Sequence, residues 1–148
     1  MDPPHPVPAA GDGMLLPGLP SGALAAFLGM TGAGRDLPLL SVELRHLGGA
    51  LRPGTVRGGA VDGLDAESAL FAAGITPDAA GVTAVHAAVD ELRMAMSPWA
   101  AATGYRNFAE RSRGRFDSPE VAARLRAVKT AYDPDDLIHA NHPVPSAE

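Results

Sequence analysis

Val82, Val85, Val89, Leu92 and Met96 recur at alternating spacings of three and four, and no other stretch restricts the fold as strongly. Side chains so spaced form one apolar stripe on an α-helix, and that stripe is stable only when it lies against another element. Thr76-Pro77-Asp78 ahead of it is a start signal of the cap-then-proline kind, and Ser97-Pro98 ends it. Trp99 follows where a large side chain can close a core.

Two upstream stretches have strand periodicity. From Leu39 to Leu47, Leu40, Val42 and Leu44 fall on one face and Ser41, Glu43 and Arg45 on the other. Ala69 to Ile75 is a small-residue apolar run suited to a second strand, antiparallel to the first. Between them, residues 52–66 are rich in glycine and read as a long loop. Leu24, Phe27 and Leu28 predict a short helix over Ser21 to Met30. Ser118 and Pro119 start a last helix whose stripe is Val121, Leu125, Val128 and Tyr132, and Asp133-Pro134 ends it. Residues 1–20, dense in proline and glycine, read as a disordered lead-in. The expected fold is α+β: a small antiparallel sheet of two to three strands covered by about three helices. So thin a sheet suggests a missing partner, either another domain or a second subunit.

Composition narrows the function classes. A net charge of −5 gives no general attraction to nucleic acid or to an anionic membrane. Cysteine is absent, which removes disulfides, thiolate zinc sites and a cysteinyl flavin link. No apolar run approaches the ~20 residues of a membrane span, and the proline-rich start is not a signal peptide; the expected location is cytoplasmic.

Chemistry-bearing residues gather in the last third: Tyr105-Arg106-Asn107-Phe108, then the last helix, then Tyr132-Asp133-Pro134-Asp135-Asp136-Leu137-Ile138 and Asn141-His142-Pro143. The helix holds two loops in fixed relation, and loops held that way are where function sits. This ordered set resembles the C-terminal end of the berberine-bridge-enzyme-like flavoproteins, FAD-linked oxidases of the vanillyl-alcohol-oxidase superfamily. Leu39-Leu40-Ser41-Val42-Glu43-Leu44-Arg45-His46-Leu47 and Ala69-Leu70-Phe71-Ala72-Ala73-Gly74 are similar to strands of that family's substrate domain. The resemblance spans roughly residues 37–145. It divides the chain into a lead-in (1–20), a partial substrate domain (21–97) and a berberine-bridge-enzyme-like segment (98–148).

The resemblance implies that Asn107 and Asn141 contact FAD, that Tyr105 lines the substrate side in a catalytic role, and that Glu43 and Arg45 face substrate. A side-chain amide offers both donors and an acceptor to a flavin's polar edge. A phenol is a poor base at neutral pH without a nearby cation, and Arg45 and Arg106 are the candidates. Read from the residues alone, Tyr105 to Phe108 is a strand-like segment with a buried Tyr and Phe and a turn-forming Asn, Asn141 belongs to a polar C-terminal tail, and Ser41, Glu43 and Arg45 form a solvated face with charges paired across strands.

His139 and His142 have a spacing that would suit a metal on a helix, but no third ligand pattern accompanies them, so no metal is expected. His46 falls on the apolar strand face and His86 borders the helix stripe, each as a core-edge residue. The cations from 106 to 129, interleaved with Glu110, Asp117 and Glu120, read as a solvated face. The functional expectation is the substrate-side portion of an FAD-dependent oxidoreductase. It lacks the N-terminal FAD-binding domain, is inactive alone, acts on a small molecule, and takes FAD only when completed by a separate flavin-binding chain. The alternative is a stand-alone, non-catalytic α+β module that acts by self-association or dimerisation.

Overall fold

The structure is a computed structural model and describes residues 6–55, 59–111 and 114–144. Three strands, β1 (Ala9–Leu16), β2 (Ser41–His46) and β3 (Ser68–Ile75), form one antiparallel sheet in the order β1-β3-β2. Helix α1 (Ser21–Thr31) joins β1 to β2, and α2 (Ala79–Met96) follows β3. Helix α3 (Pro119–Tyr132) lies near the C-terminus. The α+β class and the thin sheet are as expected.

The stripe of α2 explains the packing. Val85, Val89, Leu92 and Met96 are buried together with Met14, Leu16, Leu70 and Ala72 of the sheet, and Trp99 closes the end of this core. The helix starts later than the Thr76-Pro77 signal suggests. Asp78 is the cap, its carboxylate accepting from the Gly81 N–H at 2.8 Å, while the Thr76 N–H is already committed to the Pro8 carbonyl at 2.9 Å.

β1 corrects the disordered lead-in. Residues 9–16 pair with all eight residues of β3, and Ala10 through Leu16 are buried. Gly11-Asp12-Gly13 has the composition of a turn. Here the glycines let other chain segments come close on one face, while Asp12 turns into the other. The outer edge of β1 is covered rather than bare: the Glu110 carboxylate accepts from the Gly11 N–H at 2.8 Å, Arg93 donates to the Gly13 carbonyl, and the Ala101 N–H donates to Leu15 O at 2.8 Å.

Apolar assignments fail in three elements at the periphery. Val42 and Leu44 pack on the main core, but Leu40 is 74% exposed and His46 is exposed rather than at a core edge. In α1 only Ala23 is buried, with Leu24 45% and Leu28 55% exposed. The stripe of α3 does not enter the core either. None of its residues is buried, and Tyr132 is 85% exposed. The helix still forms because Ser118 accepts from the Val121 N–H at 3.3 Å and Pro119 sits in its first turn.

Candidate functional site

Pairing in the sheet puts alternate residues on opposite faces. One face, with Met14, Leu70, Ala72, Val42 and Leu44, meets α1 and α2. The other carries Gly11, Gly13 and Leu15 of β1, Ala69, Phe71 and Ala73 of β3, and Ser41, Glu43 and Arg45 of β2. Across this second face runs the segment 101–111, with a short 3-10 turn at Arg106–Phe108 in place of an extended strand-like piece. Phe108 lands on the sheet: its ring centroid is 4.9 Å from that of Phe71 and 5.0 Å from that of Tyr105. Leu15, Leu47 and Ala69 are buried beneath it as a second, smaller core.

The polar candidates surround Phe108. The Asn107 Nδ2 donates to the Tyr105 hydroxyl at 3.0 Å, so the two motif residues form one unit. The Arg45 guanidinium stands 5.0 Å over the Phe108 centroid and donates through Nε to Glu43 at 2.6 Å. Ser41 donates to the other Glu43 oxygen at 3.1 Å. The hydrogen bond from Arg45, then that from Ser41, holds the Glu43 carboxyl below its ordinary range.

The second loop is fastened alongside. Arg106 donates to the His142 carbonyl at 3.2 Å, and the His142 Nε2 lies 3.1 Å from the Arg106 carbonyl. This reciprocal pair brings Asn141 into the same loop cluster as Asn107, and both asparagines are exposed. His142 also rests on Phe116, centroids 4.6 Å apart, while Arg106 pairs with Asp117 and stacks on Phe116. Arg106 is therefore committed to Asp117 and His142, and Arg45 to Glu43. The hydroxyl of Tyr105 is bonded to an amide.

The C-terminal loop is shaped by Asp133. It is buried at the end of α3, and its two oxygens accept from the backbone N–H groups of Leu137 at 2.8 Å and Ile138 at 3.1 Å. Lys129 pairs with it and donates to the Ile138 carbonyl at 3.0 Å. The Lys129 ammonium is the main reason that the Asp133 carboxyl titrates below its ordinary value, with the two backbone donors adding to it; the same contact raises Lys129.

One cluster behind the site has no counterpart among the sequence expectations. Asp12, 1% exposed, lies 3.7 Å from Arg93 and 3.5 Å from Arg111, and Arg111 forms a two-pronged pair with Asp90 at 2.8 and 3.0 Å. The cations between 106 and 129 are thus not simply a solvated face. Arg106, Arg111 and Lys129 each have an assigned carboxylate. The available signal was Asp12 itself: once residues 9–16 are a strand, its alternation turns Asp12 toward α2, where a carboxylate requires a cation.

No family model matches this sequence, and no curated protein matches it. Solved structures do share the fold. Wild-type Physcomitrella patens BBE-like 1 superposes with a TM-score of 0.75 over 99% of this chain at 13% identity, and a variant of that protein with a TM-score of 0.73 over 96% at 12% identity. At such identity the likeness is one of fold. The chain spans about a third of each, 32% and 31% of their lengths.

Proposed function

We propose that this chain is a substrate-side module of an FAD-dependent oxidoreductase, its second sheet face and two clipped loops forming one wall of a flavin cleft. The observation that carries the reading is the Tyr105–Asn107 hydrogen bond above that face, with Asn141 fastened beside it through Arg106 and His142. The fold shared with BBE-like 1 and the sequence resemblance to the berberine-bridge-enzyme-like oxidases point the same way.

The residues suit the ring end of a flavin. Two exposed side-chain amides, Asn107 and Asn141, present donors and acceptors to a polar heterocycle edge, and Tyr105 and Phe108 provide flat apolar surface beside them. They do not suit its diphosphate: the helix that adjoins them, α3, has its N-terminus taken by Ser118. A flavin-binding partner domain or chain would hold that part. When bound, FAD supplies the acceptor for a hydride from substrate carbon.

The chain's own residues bind and orient. Because the Tyr105 hydroxyl accepts from Asn107, its proton stays available for donation to a substrate oxygen, a hydrogen-bonding role rather than that of a base. Glu43, held ionised by Arg45 and Ser41, offers a fixed acceptor on the same face for a substrate hydroxyl or ammonium. Phe108 and Phe71 exclude water between them.

The test is purification from native cells with visible absorption and mass identification of what accompanies the chain. A flavin spectrum with a flavin-binding chain is expected, and Asn107→Ala should lower flavin retention in that assembly. A colourless preparation that fails to take up added FAD would overturn the reading.

A further inference from the structure

Among the described residues, β2 is an edge strand with no strand on its outer side. Leu47 donates to Glu67 O at 2.7 Å, and Ser41, Glu43 and Arg45 pair with Ala73, Phe71 and Ala69. In an antiparallel ladder the backbone groups of alternate residues point to opposite sides. Those of Val42, Leu44 and His46 therefore point away from β3, and among the described residues no strand pairs with them. The opposite edge of the sheet is covered at Gly11, Gly13 and Leu15, which makes the bare edge a local feature rather than a habit of this fold.

A second feature adjoins it. Ser21–Thr31 reads Ser-Gly-Ala-Leu-Ala-Ala-Phe-Leu-Gly-Met-Thr, apolar on every side, and a helix of that composition is normally enclosed. Here Leu24 and Leu28 are left about half exposed, and a groove of about 430 Å³ lined by Leu28, Leu39 and Val42 separates α1 from β2. The helix flank and the strand edge thus form one continuous uncovered surface, with Leu40 at its end, 74% exposed.

We propose that this surface binds a second copy of the chain, two β2 strands pairing antiparallel across a two-fold axis at Leu44 to make a continuous six-stranded sheet. The sequence of β2 is self-complementary in that register. Leu44 meets Leu44, and Val42 meets His46, with their backbone groups exchanging hydrogen bonds. On the other face Glu43 stands opposite Arg45 of the second copy, twice over, in the closely spaced non-hydrogen-bonded positions. Shifting the register by two residues in either direction loses one or both of these pairs and the Leu44 contact. Glu43 and Arg45 are 36% and 53% exposed and adjacent on one face, so each can take a further partner across the axis while the Arg45–Glu43 contact within the chain is kept. The exposed flanks of α1 then approach each other across the same axis and bury Leu28. This goes beyond the flavin reading, because it concerns the edge of β2 and is read by mass rather than by colour.

The test uses the full chain in sedimentation equilibrium, with far-UV circular dichroism to verify folding. Wild type is expected to dimerise. Glu43→Arg and Arg45→Glu each place like charges opposite one another and should each raise the dimer dissociation constant about tenfold or more. An equimolar mixture of the two variants restores both opposite-charge pairs and should recover a heterodimer; the double variant E43R/R45E should dimerise like wild type, which covers the case of a single variant that fails to fold. A monomeric wild type, as when a strand from elsewhere in a longer protein covers this edge, would overturn the proposal. So would a dimer indifferent to both charge reversals, or a mixture no tighter than its components.

Discussion

Gly13 shows how much a single position decides in this chain. It lies on β1 opposite Phe71, directly under the 3-10 turn that carries the candidate site. A Cβ placed there would stand 2.5 Å from the Leu70 carbonyl oxygen and 2.9 Å from the Phe108 Cβ. Neither neighbour is the free end of a flexible side chain, so relief requires the turn to lift or β1 to slide. Gly13→Ala is expected to destabilise the chain by ~1–3 kcal/mol, the usual range for overpacking a filled interior. The accompanying sign would be loss of the Tyr105–Phe108–Phe71 stacking, read as a change in near-UV circular dichroism with the far-UV spectrum retained. An unchanged midpoint in urea would show that the turn is not seated on this glycine.

At the scale of elements, α3 and its loop behave as a unit set apart from the core. Helix α3 buries no residue, yet it ends in a tight electrostatic knot in which Lys129, Leu137 and Ile138 all converge on Asp133. The folded Asp133 titrates below its ordinary value near ~3.9. Its contribution is therefore complete above the unfolded value and is lost as pH falls through the lower, folded one. Lys129 is raised, so its share is complete below its unfolded value and is lost only as pH rises through the folded one. The loop carrying Asn141 should stay docked across the neutral range and loosen in acid below about pH 4, before the sheet unfolds. Hydrogen exchange at the amides of Leu137 and Ile138 would follow this directly. Asp133→Asn should raise their exchange at neutral pH and remove the acid dependence; protection independent of pH in the wild type would refute it.

This element also marks the limit of what the sequence reveals. The Ser118-Pro119 start and the Asp133-Pro134 end of α3 were legible because caps and prolines act within a few residues. The same reading assigned Val128 and Tyr132 to a packed stripe, but periodicity states only which residues share a face. Val128 remains 49% exposed. In α2 the stripe and the burial agree because the sheet lies under it. The two motif segments likewise stood out by their composition, but the Arg106–His142 clip that joins them spans 36 positions and is visible only in three dimensions.

Across the whole molecule, the sheet face with the candidate site and the face with the main core are joined by an ionic cluster around the buried Asp12. Asp12 on β1 meets Arg93 of α2 and Arg111 of the site segment, and Arg111 returns to Asp90 of α2. Strand β1 was hidden in the sequence by the same residues that make the cluster possible. Gly11-Asp12-Gly13 reads as a turn until its pairing with β3 is known, because a buried aspartate in a strand is meaningful only with distant cations beside it. Breaking such a cluster from one side leaves the remaining carboxylate buried and undercompensated, which costs more than the intact cluster contributes. Among the described residues, Arg111→Ala leaves Arg93 as the cation beside Asp12, with the Gly13 N–H still donating to it, and the expected loss is ~3 kcal/mol, the lower end of the range for breaking a buried pair, since one cation stays. Equilibrium unfolding in urea measures it. The Asp12→Asn/Arg111→Met pair removes both charges together and should recover a substantial part of the loss, whereas a simple packing role for Arg111 predicts that adding Asp12→Asn recovers nothing. Because Arg111 lies four residues from Asn107, the single variant should also release the segment 101–111 from β1 and raise exchange at Gly11 and Ala101, linking the stability of the core to the order of the site.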